Sequence, residues 1–315
     1  MSPRDAGVIA VAANEESRDG MPRRTQRDKR ELDLIRHRER GVSMQPAVKQ
    51  AIASIRERYF EPITLNDLAA EVFVSPFHFS RVFSRETGVT PGRYLTAVRL
   101  FEAKRLLVMT SLTVSDVVCS VGYSSVGTFT SRFTRAVGMT PTQYRAPEVS
   151  ELLLAVAPDF HRLPPSNVLS DFGRTCTGVD GDTGGSIVGA VELPGEVPAA
   201  RVLIGVFADA IPQCGPVVYK SLRATDVTGF TLHGVPAGRW HVIAVAEHAS
   251  GHDGVYLGTA GEPIDVTAGS ASSLHLRMRA VRTTDPPIAI TLASQLSLDS
   301  GRNGIAEPAA IRTAA

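Results

Sequence analysis

The chain has 315 residues, 43% hydrophobic and 21% charged, with a formal net charge of +1; that is apolar material for about two domains and excludes a wholly disordered polymer. No run reaches the roughly 18 apolar residues of a membrane helix, and the apolar stretch 7–13 lacks the positive leader of a secretory signal, being flanked by Asp5 and Glu15. A cytoplasmic protein with no membrane partner is expected.

The charge is unevenly placed. Residues 1–45 carry +2, 46–148 carry +4 and 149–315 carry −5, the pattern of a polyanion-binding module joined to one that is not. The three cysteines, Cys119, Cys176 and Cys214, form neither a C-x-x-C pair nor a zinc spacing. Reduced thiols, no metal and no cofactor are expected.

Residues 1–45 are rich in both charge signs and poor in aromatics, and read as a disordered tail. Met44 lies at its edge as an alternative start. A helical stripe follows, with Val48, Ile52, Ile55 and Tyr59 at helical spacing. Thr64 with Asp67 reads as a capping box opening a short helix. Ser75 and Pro76 open a second helix, which stops at Gly88. Thr90 and Pro91 launch a long helix to about Met109. The same grammar then repeats: Thr113 with Asp116, a stop at Gly122, a cap at Ser124 or Ser125, a stop at Gly138, and Thr140-Pro141 starting a last short helix.

The repetition is positional. Phe79, Phe83, Gly88, Thr90, Pro91 and Tyr94 recur 50 residues later as Phe129, Phe133, Gly138, Thr140, Pro141 and Tyr144, whereas Thr64 and Asp67 recur 49 later. One residue is therefore inserted between the anchored parts, where a turn tolerates it. Each copy reads as helix, tight turn, helix, and two tandem helix-turn-helix motifs are expected over 46–148.

In such a motif the second helix enters the major groove and its inner face packs on the first. Phe79, Val82 and Phe83 take the inner face of the first copy, leaving Phe77, His78, Ser80, Arg81, Ser84 and Arg85 outward or flanking. Arg81 suits a guanine edge and Phe77 a thymine methyl. In the second copy Gly127, Thr128, Thr130, Ser131, Thr134 and Arg135 are outward, a milder surface, so the first helix is expected to discriminate more. The 19-residue linking helix spans about 28 Å, near the roughly 34 Å between successive major grooves.

With "RLFEAKRLL" in the linking helix and "GMTPTQYR" closing the second copy, residues 46–145 resemble the DNA-binding region of the AraC/XylS transcription regulators. The resemblance implies a bacterial regulator bound to double-stranded DNA. It puts the base-facing positions on Phe77, Ser80 and Arg81 and on Thr128, Thr130 and Ser131; RNA polymerase and a small-molecule effector are the further partners expected. Many members of that family carry arginine where this chain has Ser131. They also usually place this region after a sugar-sensing domain, whereas here it comes first.

After Arg145 the composition changes. Residues 149–185 read as a linker with one short helix around 152–156, and 186–295 hold about nine short segments rich in Val and Ile between Gly and Pro. That spacing predicts an antiparallel β-sandwich, followed by a disordered tail over 296–315. "GFTLHGVPAGRWHVIAV" resembles carboxypeptidase regulatory-like and transthyretin-like sandwiches, with Trp240 in or near the core. The fold class expected is multidomain, all-α and then β.

Enzymatic readings have little to stand on. Glu247, His248, His252 and Asp253 have metal-like spacing in a Ser-Gly loop context. DNA alkyl-transfer proteins share the AraC-like module, but Cys214 has no adjacent base to activate it. A sequence-specific transcription regulator with no catalytic residues is the reading adopted. The alternative is a ligand-binding or protein-interaction protein whose helical half no longer reads DNA.

Overall fold

The computed structural model describes residues 44–165, 184–248 and 254–293, and among these described residues seven α-helices precede twelve strands. The expected tails up to 43 and from 296, residues 166–183 of the expected linker, Cys176, His252 and Asp253 lie outside the described residues.

Helix α1 (Gln45–Arg58) buries Val48, Ala51, Ile52 and Ile55, the stripe its spacing dictates. Helices α2 (Leu65–Glu71) and α3 (Pro76–Thr87) form the first motif, α4 (Pro91–Met109) links, and α5 (Val114–Ser120) and α6 (Val126–Val137) form the second. Both capping boxes are made. The backbone N–H of Thr64 donates to Asp67 Oδ2 at 2.8 Å and that of Thr113 to Asp116 Oδ2 at 3.1 Å, satisfying donors that a helix start leaves free. The Thr64 hydroxyl also donates to Asp67 Oδ2 at 2.7 Å, and it and the backbone bond, in that order, hold the Asp67 carboxyl below its usual range. Ser125, rather than Ser124, caps α6. The expected last helix is a single 3₁₀ turn (Gln143–Arg145) followed by α7 (Pro147–Glu151).

The strand-rich half forms three sheets. β1 (Leu153–Ala157) pairs antiparallel with β2 (Phe160–Arg162) and with β12 (Ile288–Thr291). β3 (Gly185–Glu192) lies between β6 (Val227–Val235) and β10 (Ala271–Arg277). The largest sheet has the order β11 (Arg279–Ala280), β8 (Val255–Thr259), β7 (Gly238–His248), β4 (Ala200–Phe207), β5 (Val218–Ala224), with β9 (Ile264–Val266) also on β7.

Three sequence expectations are corrected. The short helix around 152–156 is strand β1, buried at every position; five consecutive small or aliphatic residues suit a strand covered on both faces. The first part of the expected linker is thereby core. Nor is every pairing antiparallel, since β3 and β10 run parallel from Ser186–Ala271 to Glu192–Arg277. Finally, the helical and strand-rich halves do not have separate cores. One apolar cluster runs from Leu100, Phe101, Phe129 and Phe133 through β1 and β12 to Leu203 and Ile243. A second lies on the opposite face of the largest sheet, where Val202, Ile204 and Ala244 meet Ile187, Phe230 and Leu276. Strands β4 and β7 are covered on both faces, which is why they read as near-continuous apolar runs.

Polar groups tie the same seam. Lys104 on α4 is fully buried, and its ammonium donates to Ala289 O at 2.6 Å, Gln213 O at 2.7 Å and Gln213 Oε1 at 3.0 Å. Three acceptors match three N–H bonds. The carbonyl of Asp285 accepts from Tyr94 at 3.1 Å and Arg56 at 3.3 Å, and Arg93 pairs with Asp209 at 3.0 Å.

Candidate nucleic-acid interface

Ser75 and Ser125 cap the two outward-reading helices through the N–H groups of His78 and Thr128. Gly88 and Gly138 end them at φ 76° and 84°, the left-handed turn glycine allows without penalty. The inner faces are equivalent. Phe79 and Phe83 lie 5.5 Å apart between centroids, Phe129 and Phe133 5.4 Å, and all four are fully buried. Burying two such rings anchors each helix against its partner, each ring being worth about 3–5 kcal/mol if truncated to alanine.

The outer faces differ. On α3, Phe77 is 73% exposed, and the Arg81 guanidinium lies over its ring at 5.7 Å. The i, i+4 spacing allows this contact, which restricts the side-chain freedom of Arg81. Arg85 is exposed and touches Glu86 at 3.4 Å, while Ser80 is half-buried. His78 flanks the face; its Nε2 is enclosed with no hydrogen-bond partner among the described residues, so it faces the fold more than the sequence reading suggested. On α6, Thr128, Ser131 and Arg135 are exposed and Thr130 is half-buried.

Hydrogen bonds and ion pairs separate the engaged arginines from the free ones. Arg99 donates to Tyr59 O and Glu61 O at 2.6 and 2.7 Å, and Arg145 donates to Thr110 O and Leu112 O. Arg58 is paired with Glu61 and Glu71. Arg81, Arg132 and Arg135 are exposed and make no ion pair among the described residues. The modest positive excess of 46–148 is thus presented chiefly beside the two outer faces, which suits a polyanion.

One residue of this surface escaped sequence reasoning. Phe73, in the turn before α3, is 95% exposed and adopts φ 57°. A bulky residue rarely takes the left-handed region. The 49-residue offset puts Gly122 in its place in the second motif, at φ 77°. The available signal was this pairing: Phe73 and Phe77 both become glycine, at Gly122 and Gly127.

The metal-like spacing comes to nothing in the described part. Glu247 is paired with Arg201 at 2.7 Å, His252 and Asp253 lie outside the described residues, and the described residues hold no cluster able to bind a metal. Cys119 and Cys214 are free and exposed. Among the described residues, no helix is long and apolar enough to cross a membrane.

Comparison with known proteins matches residues 68–147 to a helix-turn-helix domain family. The lactose operon transcription activator of Staphylococcus xylosus is 32% identical over 98 residues, covering 31% of this chain and 35% of that protein. The melibiose operon regulatory protein of Escherichia coli K12 is 34% identical over 98 residues, 31% of this chain and 32% of that protein. A solved transcriptional regulator from Chromobacterium violaceum, described as containing an AraC-type DNA-binding domain, is 30% identical, covers 32% of this chain and 90% of its own, and has a TM-score of 0.31. This chain spans about a third of the length of the curated relatives it matches.

Proposed function

We propose, from the helix-turn-helix family match over residues 68–147 and the likeness to operon regulators, a sequence-specific transcription regulator of the AraC type. It binds double-stranded DNA through α3 and α6 in adjacent major-groove segments. The observation that carries this reading is the contrast between faces. The two modules repeat their inner packing ring for ring, yet Phe77, Ser80 and Arg81 on one outer face become Gly127, Thr130 and Ser131 on the other. Packing requires the first to be alike; a single asymmetric site requires the second to differ.

Arg81, lying over Phe77, is the base-reading donor for a guanine O6/N7 edge, and Phe77 offers its exposed edge to a thymine methyl. Ser80 and Arg85, with His78 at the margin, complete the first contact set. Thr128, Thr130, Ser131 and Arg135 form the second, mostly toward phosphate and with weaker base preference. The 19 residues of α4 hold the two at about 28 Å, so one chain reaches two grooves without a second copy. The strand-rich half, read as a sandwich of the sheets that enclose the second apolar cluster, is an effector or partner module. RNA polymerase is the expected protein partner, the cytoplasm the expected location, and no catalytic role is assigned.

Binding to duplex genomic fragments across a salt series tests the reading. A preferred fragment is expected, with log affinity falling linearly in log salt at a slope of about −0.9 per neutralised phosphate. No binding at low salt, or equal binding to every fragment, would leave the ligand-binding or protein-interaction alternative standing instead.

A further inference from the structure

The C-terminal end of the first reading helix forms one wall of a cleft whose other wall is the largest sheet. Thr87, Gly88 and Val89 face Ile211, Ile243, Leu257 and Ile288 across a cavity of about 160 Å³. A cavity of about 150 Å³ with similar walls holds one benzene ring, so this one admits a single ring or a short branched chain. Its polar groups narrow the chemistry. Arg279 and Asp285 also line it, but they are committed to each other by two bonds of 2.7 and 2.8 Å. His241 and Glu262 remain. Glu262 is exposed at the rim and makes no hydrogen bond or ion pair among the described residues. Burial, helped by Arg239 and Arg93 and opposed by the Asp209 and Glu262 carboxylates, pushes the His241 imidazole below its ordinary value, which favours the neutral ring that can both donate and accept. No unpaired cation lines the space, and a carboxylate ligand would meet Glu262 with like charge.

We propose that this cleft is an effector site for a compact apolar molecule bearing one amine or hydroxyl group, seated between α3 and the sheet. The inference rests on the regulator reading and deepens it by giving the effector a place and a chemical class. The site lies outside the core between the sheets of the strand-rich half. A bound molecule touches the end of the helix that carries Arg81. It also touches Asp285 and Pro286, the segment whose backbone carbonyl is held by Arg56 and Tyr94 from the helical half. Ligand binding therefore changes the seat of the first reading head, and the coupling acts equally in both directions.

Calorimetric titration of the full chain, without DNA, with benzylamine, benzyl alcohol and benzoate tests the site. Saturable binding of the amine and the alcohol is expected, with benzoate at least tenfold weaker. Ala260→Phe, which fills the cavity, should lower affinity for both at least tenfold; Ala210→Trp at the exposed rim serves if the first variant unfolds earlier in a thermal melt. Glu262→Gln should remove the preference of the amine over the alcohol. Absence of binding, benzoate binding as well as the others, or indifference to both filling variants would overturn the proposal. Fluorescence anisotropy on a preferred duplex, with and without benzylamine, reads the coupling, and a change of threefold or more in DNA affinity is expected. Ligand binding with no DNA binding at all would sink the regulator reading alone, whereas DNA binding with no ligand binding would sink only the cleft.

Discussion

Tyr94 and Tyr144 occupy the same place in the two modules, each ring set edge-on to a phenylalanine at 5.5 Å, Phe83 for one and Phe133 for the other, yet their hydroxyls have different fates. The hydroxyl of Tyr94 donates to Asp285 O and accepts from Arg56 at 3.2 Å, whereas that of Tyr144 is buried with no partner among the described residues. Burial pushes both phenols above their ordinary titration range, so neither is charged at neutral pH.

This difference predicts opposite outcomes for one substitution. Tyr94→Phe removes a satisfied bond from the seam and is expected to cost about 1–2 kcal/mol. Tyr144→Phe removes a desolvated hydroxyl and is expected to raise stability by up to about 1 kcal/mol. Urea unfolding of the two variants beside the parent checks both signs, and equal losses would contradict the assignment.

Lys104 predicts a pH dependence. Complete burial pushes its ammonium from the ordinary 10.5 to about 7, opposed only partly by Cys214. Between those values the unfolded chain holds the proton and the folded chain does not, so stability should rise with pH across the window and level off above 10.5. The slope is at most about 1.4 kcal/mol per pH unit; the three carbonyl acceptors, which favour the charged form, reduce it. The measurement is the stability difference between the parent and Lys104→Met at pH 6, 7.5 and 9. A difference that stays constant with pH would show that Lys104 keeps its proton throughout.

The two turns predict unequal tolerance. A Cβ on Gly122 would stand 2.6 Å from Phe60 O in a left-handed backbone, so Gly122→Ala should cost at least about 2 kcal/mol. Phe73→Gly relieves the same backbone conformation and loses almost no packing, and a gain of about 1 kcal/mol is expected. Thermal melts decide this. If Phe73→Gly also weakens DNA binding despite the gain, the exposed ring contacts DNA.

The outer faces predict a ranking. Arg81→Ala should relax discrimination at one base pair by roughly 1–3 kcal/mol, and Phe77→Ala should produce a milder loss by freeing Arg81. Ser131→Ala should change little. Competition binding against single-base variants of a preferred site tests the order, and equal losses at Arg81 and Ser131 would reverse it.

The helical half was legible because its signals are local. Thr64 with Asp67, Ser75 with Pro76, and Gly88 state where helices begin and end through bonds made within a few residues, and the 50-residue repetition exposed which faces must pack. Strand β1 was not legible. Its five apolar residues fit a short helix or a strand equally, and its partner β12 lies more than 130 residues away. The parallel pairing of β3 with β10 was hidden for the same reason. Phe73 was missed because an exposed phenylalanine in a turn carries no periodicity.

By itself, then, the amino-acid sequence determined two capped helix-turn-helix modules and the phenylalanines that pack their inner faces, because hydrogen bonds and side-chain period over three to four residues suffice for that. Only the tertiary structure decided that the strand-rich half shares a core with the helical half. Lys104, Tyr94 and Arg56, ordinary polar positions on their helices, find their acceptors at Gln213, Asp285 and Ala289. Those contacts span more than 100 residues, where no local rule reaches, and burial alone makes them worth forming.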